Sequence, residues 1–396
     1  MINTVIDLSN IFHRSMFIVG GFGKNGFTYN SQSEIDKLMR KVATDVAFIL
    51  RQVQGSRVIF AVDSKSWRKE IEIAENEGYK GNREKTGNLN WDNIYQCMNE
   101  FCTIMESRGM IATKIENAEA DDLMCLWRDK LLFESEEHVV LVSGDEDIRQ
   151  LVAGHYTNNR ELKFATVYNP FTQGKNATRK LFVNKNFTEW LTSDDDVGDI
   201  FNRNSEPDKD SFMNLINQHK VVVNPINGSE LALRKVFCGD DGDNVPAIYT
   251  WLGTTQKGKE VQRRITESKF NKLLGILRPL NVSHEIDFMD LQDLAEPIQK
   301  FLEEESGTSL PFKIEDRLKR QIKLVVLSKV VFPFEIVKEF EDTVQEAMDR
   351  IPSQINGWQM QTLLEGTRYV NEEYQTARNE SSIFKEIDKI TSQSLF

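Results

Sequence analysis

The chain has 396 residues, enough for a sizeable core and, at roughly 100–200 residues per domain, for two domains. Its formal net charge of −12 argues, on bulk composition, against a nucleic-acid partner, because phosphate binding favours a basic footprint. Cys97, Cys102, Cys125 and Cys238 form no C-x-x-C pair and are too sparse for a disulfide scaffold, so a reducing, cytoplasmic setting is expected and the thiols read as packing residues.

The opening "MINTVIDLSNIF" carries Asp7 inside its apolar run and has no basic leader, so it reads as a buried strand over 2–6 and not as a signal peptide. No run of about 18 apolar residues follows, so no membrane span is expected. Ile35, Leu38, Met39, Val42, Val46, Ile49, Leu50 and Val53 recur at three- and four-residue steps, the spacing of an amphipathic helix. "RVIFAVD" at 57–63 is the next strand. A long polar excursion precedes a second helix marked by Ile94, Cys97, Met98, Phe101, Ile104 and Met105, which stops at Gly109. Then come a strand at 110–116, a helix at 118–133, a strand at 138–144 and a helix at 146–153. Such alternation predicts an α/β fold with a mostly parallel central sheet and helices on both faces.

The acids fall at the ends of these strands. Asp7 follows the first, Asp63 ends the second, Glu119, Asp121 and Asp122 follow the third, and Asp145 and Asp147 follow the fourth. In open α/β sheets those ends share one rim, where ligands bind. Taken singly, each acid is an ordinary helix cap or first-turn residue. Together they raise one another's pKa values and resist ionisation unless a cation intervenes. Hard divalent cations with oxygen ligands are the natural counter-charge, whereas the five histidines are too scattered for zinc. A further glycine-punctuated acidic turn, "CGDDGDNVP" at 238–246, offers Asp240, Asp241 and Asp243.

Asp7, Asp63, "EADD" at 119–122, "SGDED" at 143–147 and "GDDGDN" at 239–244 stand in the order seen in the 5′-nuclease (flap endonuclease) superfamily, which this chain resembles. The likeness is greatest to phage 5′-to-3′ exonucleases and phage ribonuclease H, and "EGYKGNR" at 77–83 is similar to their arch segment. The resemblance implies a PIN-like nuclease core over 1–235, with an arch at 64–91 and an insertion at 190–222. It also implies a helical duplex-binding domain over 236–339, here without the glycine pattern of the family's helix-hairpin-helix, while 340–396 reads as an acidic extension with no counterpart in the family.

By the same resemblance, Asp7, Asp63, Glu119, Asp121, Asp145 and Asp147 form an inner nest for two Mg²⁺ ions, with Mn²⁺ as a substitute. Asp122, Asp240 and Asp243 hold the second ion or its waters. Lys80, Arg83 and Asp145 are the catalytic candidates. Arg68, Lys69, Lys80 and Arg83 are expected to meet phosphates, and Tyr79 or Trp67 to stack on an unpaired base. Lys257, Lys259, Arg263 and Arg264 lie in a locally basic stretch that suits duplex phosphates. The nine acids of the nest account for most of the net charge of −12, which removes the compositional objection to a nucleic-acid partner.

The implied activity is structure-specific hydrolysis at 5′ flaps, 5′ ends or RNA primers, on duplex DNA or an RNA–DNA hybrid, in phage-type replication and repair. A single-strand-binding protein and a replication sliding clamp are implied partners, the clamp through the tail "IDKITSQSLF", for which a frayed apolar terminus is the commoner explanation. Two other readings stay open: a PIN-type endoribonuclease, and a structure-specific DNA-binding protein that does not cleave.

Overall fold

The computed structural model describes residues 2–21, 26–53, 55–73, 78–82, 89–107, 109–171, 178–193, 207–254, 258–277 and 293–350. The central sheet runs β3-β2-β1-β4-β6-β7-β8. Its strands are β1 (Ile2–Asp7), β2 (Arg57–Ala61), β3 (Ile111–Thr113), β4 (His138–Val142), β6 (Leu162–Asn169), β7 (Lys180–Val183) and β8 (Val222–Pro225), and β5 (Ala153–Tyr156) pairs with β6 off this path. The pairs β1–β2, β2–β3, β1–β4, β4–β6 and β7–β8 are parallel, while β6–β7 and β5–β6 are antiparallel.

The central parallel strands β1, β2 and β4 are buried on both faces, and β2 and β4 are apolar after their first residue. Val5, Ile59 and Leu141 point into one hydrophobic cluster, and their neighbours Ile6, Phe60 and Val142 into the other. Helices α1 (Leu8–Gly20), α2 (Gln32–Val53), α3 (Trp91–Glu106), α5 (Phe187–Thr192) and α6 (Pro207–His219) cover the second face. Helix α4 (Ala120–Asp129), continued as a π turn over Lys130–Glu134, covers the first with α7 (Gly228–Cys238) and α8 (Glu267–Leu277). Helices α9 (Ala295–Ser306), α10 (Ile314–Val325) and α11 (Phe334–Arg350) add to that same layer. Among the described residues no helix is long and apolar enough to cross a membrane.

Several expected boundaries move. The helix anticipated over 146–153 is one 3-10 segment, Asp147–Leu151, because strand β5 begins at Ala153. The division at 235/236 cuts through α7, whose Val236 and Phe237 share one buried cluster with β1, α4, α8 and α10. Position 340 is likewise inside α11, where Phe340 packs edge-on against Trp127 at 5.3 Å between ring centroids. The segment expected to be an insertion, 190–222, holds the end of α5, the whole of α6 and the first residue of the edge strand β8, with 194–206 outside the described residues. The region expected to be helical also contains an antiparallel hairpin, β9 (Thr250–Thr254) and β10 (Glu260–Arg264).

Candidate active site

The sheet register levels the strand ends. Asp7 lies opposite Ala61, and Ile6 opposite Val142, so the segments that leave β1, β2 and β4 emerge side by side. Asp7 is the N-cap of α1: one carboxylate oxygen accepts the Asn10 amide at 2.8 Å, the other the Ser143 hydroxyl at 2.9 Å. Asp63 accepts the Ala120 amide at 2.6 Å, which ties the end of β2 to the first turn of α4, while its own amide donates to the Ser9 hydroxyl at 2.8 Å. Asp145 donates its amide to Ser143 Oγ at 3.0 Å and accepts the Asp147 amide at 2.9 Å, which fixes the loop after β4.

Asp240 and Asp243 reach the same rim from the end of α7. Gly239 caps that helix at φ 77°, and a Cβ there would lie 2.5 Å from the Val245 carbonyl oxygen, so only glycine makes the turn. Carboxylate oxygens of Asp147, Asp240 and Asp243 all lie within 4.8 Å of one another.

Burial and mutual repulsion push four of the acids, Asp7, Asp63, Asp121 and Asp147, toward their neutral forms. Burial, with Asp63 next, raises the Asp7 carboxyl from 3.8 to about 7. Burial raises Asp63 against the opposing Ala120 hydrogen bond, with Glu119 adding to the rise. Asp121 is pushed well above its ordinary value by burial, then by Asp145 and Asp7. Burial takes Asp147 up to about 6 although Lys235 pulls the other way. An all-oxygen cluster whose members repel one another fits hard divalent cations, which repay the desolvation by neutralising the charge.

Three cations of the chain itself face the nest. Lys80 Nζ lies 2.5 Å from Glu119 Oε1 and 3.7 Å from Asp243 Oδ2. Arg68, 2 % exposed, is 3.3 Å from Glu119 and 2.8 Å from Asp122. Burial alone would raise Glu119, but Lys80 and Arg68 outweigh it and hold that carboxyl at about 2. The third cation, Lys235, sits between Asp147 and Asp240 and pairs with both. Sequence reasoning missed it, although a lysine in the last turn of α7, five residues before Asp240, is the legible signal.

The placements sort the expected residues. Asp7, Asp63, Glu119, Asp121, Asp145, Asp147, Asp240 and Asp243 converge, as the electrostatic coupling and the shared bonds record. Asp122 does not open onto the rim. It is fully buried, paired with Arg68 and bonded by the Trp67 indole at 3.2 Å and the Glu119 amide at 3.1 Å. Arg68 is therefore a buried counter-ion and not a phosphate contact, because covering its guanidinium secures two acids beneath the site.

Tyr79 is not a stacking surface: it is 7 % exposed, and its hydroxyl donates to Glu119 at 3.1 Å and Asp243 at 2.9 Å. Lys69 is exposed. Lys259, Arg263 and Arg264 are exposed on the β9–β10 hairpin, where Arg264 makes a bidentate pair with Asp241 at 2.7 and 2.9 Å. Arg83, Lys257 and the tail at 387–396 lie outside the described residues.

The foot of the expected arch is fastened to the acidic turn. The Lys80 amide donates to the Asp243 carbonyl at 2.8 Å, Asn244 Nδ2 to the Gly78 carbonyl at 2.8 Å, and Asn82 Nδ2 to the Asp241 carbonyl at 3.1 Å. Lys80 adopts φ 57°, a left-handed conformation that these bonds hold in place.

No curated protein sequence matches the chain. Among solved structures, bacteriophage T5 D15 protein co-crystallised with metal ions aligns at 15 % identity and a TM-score of 0.49, covering 88 % of this chain and 99 % of that one. A complex of bacteriophage T5 D15 flap endonuclease with DNA and metal ions aligns at 16 % identity and a TM-score of 0.48, covering 88 % and 100 %. The T5 5′-exonuclease with bound zinc gives 16 % identity, a TM-score of 0.48, and coverage of 88 % and 99 %. The family model for the 5′-3′ exonuclease N-terminal, resolvase-like domain matches residues 3–182, which hold Asp7, Asp63, Glu119, Asp121, Asp145 and Asp147. Over that span, a little under half of the chain, the sequence carries the N-terminal, resolvase-like domain of the 5′-3′ exonucleases.

Proposed function

We propose that this chain is a two-metal 5′ nuclease that hydrolyses phosphodiesters of duplex DNA at 5′ flaps, 5′ ends or RNA primers, with Mg²⁺ as the working ion and Mn²⁺ as a substitute. The observation that carries the reading is the convergence of acids from β1, β2, α4 and the loop after β4 with the Asp240–Asp243 turn, in a site that holds several of them above their ordinary pKa values. Two divalent ions, when bound, supply activation of water and neutralisation of charge on the scissile phosphate.

The chain's own residues do the rest. Asp7, Asp63, Glu119, Asp121, Asp145, Asp147, Asp240 and Asp243 would supply the oxygen ligands for the two ions. Lys80, held against Glu119, is the cation placed to meet the phosphate from the arch side. No protein nucleophile is needed. The exposed cations of the β9–β10 hairpin, Lys259 and Arg263, suit duplex phosphates downstream of the cut.

A cleavage assay on 5′-labelled flapped DNA, recessed 5′ ends, RNA-primed duplex and single-stranded RNA tests the reading. Mg²⁺-dependent cutting of a duplex substrate, abolished in Asp145→Asn with binding retained and slowed in Lys80→Ala with metal still bound, is the expected result. Cutting of single-stranded RNA alone would favour the PIN-type endoribonuclease, and binding of flapped DNA without any cutting would favour the non-cleaving protein.

A further inference from the structure

Helix α11 carries three kinds of side. Ile336, Phe340 and Val344 recur every four residues and are buried in the core. Glu335, Glu339 and Asp342, on a different side, are exposed. Along one border between the two lie Phe334, Val337, Glu341, Gln345 and Met348, spaced three or four residues apart and therefore on one flank. Phe334 is 73 % exposed, and Val337 and Met348 are half-buried. Beside this flank is a cavity of about 220 Å³, lined among others by the buried Leu126, Phe340 and Val344 and by Glu341 and Gln345 of the flank itself.

The chain leads back to this place. Helix α11 ends at Arg350, five residues or about 7–8 Å beyond Gln345, and 351–396 lie outside the described residues. The sequence continues "IPSQINGWQMQTLL" over 351–364. Pro352 disfavours further helix, and Asn356-Gly357 is a turn dipeptide, so reversal is favoured at once. Trp358, Met360, Leu363 and Leu364 come directly after the turn. The 17 residues of α11 are about 25 Å long, which seven or eight extended residues span at ~3.3 Å each.

We propose that the segment 351–370 folds back along α11 and seats Trp358, Leu363 and Leu364 on the Phe334–Met348 flank and its cavity. Attachment to the end of the same helix gives this occupant an effective concentration on the order of millimolar, which a free partner does not have. The seat also joins two helices. Leu126 in the cavity belongs to α4, and Phe340 packs on Trp127 of α4 with ring centroids 5.3 Å apart. Helix α4 opens with Asp121 and Asp122, so the returning segment would brace the helix that carries acids of the nest.

The test is hydrogen exchange read by mass spectrometry on the full chain, at low and high protein concentration. Wild type is compared with Phe334→Asp on the flank, Leu363→Asp/Leu364→Asp in the segment, and Glu339→Lys on the exposed side as the control. Phe334 is exposed at the first position of α11, where an aspartate suits the helix, so the flank variant should keep the fold. Amides of 351–370 are expected to exchange at least about tenfold more slowly in wild type and in Glu339→Lys than in the other two variants, equally at both concentrations. Amides of α10 should not change.

Exchange of 351–370 in wild type at the rate of an unstructured peptide would overturn the proposal. So would protection that Phe334→Asp leaves intact, which would mean that the segment is ordered elsewhere. Protection found only at high concentration would make a second copy the occupant and would equally overturn it.

Discussion

Replacing Asp7 by asparagine should make the metal-free protein more stable and the metal-loaded one inactive. Asp7 is 4 % exposed, and its carboxyl is raised from 3.8 to about 7, by burial first and Asp63 second. Below pH ~4 both folded and unfolded chains hold the proton, and the site carries no penalty. As pH rises from 4 to 7 the unfolded chain ionises while the folded one does not, so stability falls by about 1.4 kcal/mol per pH unit. Above 7 the penalty is complete, of order 4 kcal/mol. Asparagine keeps the shape and can still accept the Asn10 amide, so Asp7→Asn should gain about 2–4 kcal/mol at pH 8 and almost nothing at pH 4.

Urea unfolding in EDTA, followed by far-ultraviolet circular dichroism at both pH values, reads this directly. Adding Mg²⁺ should then stabilise wild type, by about 2.7 kcal/mol at a hundredfold excess over its Kd, and stabilise the variant much less. A variant no more stable than wild type at pH 8, and equally strengthened by Mg²⁺, would refute the claim that the acids tolerate one another only through shared cations.

Arg68→Met should cost about 3–5 kcal/mol in urea unfolding, because it strands the buried Asp122 without its partner, while Lys69→Ala on the exposed side of the same turn should change stability by less than ~0.5 kcal/mol. Equal effects would show that the guanidinium is not a buried counter-ion. Lys235→Gln should tighten Mn²⁺ binding roughly tenfold in calorimetric titration, since the ammonium between Asp147 and Asp240 competes with the ion for the same oxygens. Unchanged affinity would place the ion elsewhere. Tyr79→Phe removes hydrogen bonds to Glu119 and Asp243 and should cost about 1–3 kcal/mol. It should also speed hydrogen exchange at the Lys80 amide, and an unaltered exchange rate there would mean that the foot of the arch is held by other bonds.

The parallel strands and their helices were legible because each carries its own pattern: β1, β2 and β4 as short, largely apolar segments, α2 and α3 as three- and four-residue repeats. The acids were legible as a group because strand ends share a rim whatever the loops between them do. What escaped depends on contacts between distant segments. Arg68 and Lys69 are adjacent charged residues in one turn, and only the approach of α4 decides that the first is buried and the second is not. Tyr79 reads as a free aromatic until Asp243, far along the chain, claims its hydroxyl. The four-residue β8 is too short to show a period, and it forms because β7 offers it an edge.

Asp7, Asp63, Asp121, Asp145 and Asp240 each come from a different stretch of the polypeptide, so the chemistry exists only in the finished tertiary fold. A nascent chain still short of Asp240 and Asp243 lacks two of the three carboxylates that cluster with Asp147. A site assembled in this way is complete only once the chain has been extended past Asp243, well beyond the last strand of the central sheet.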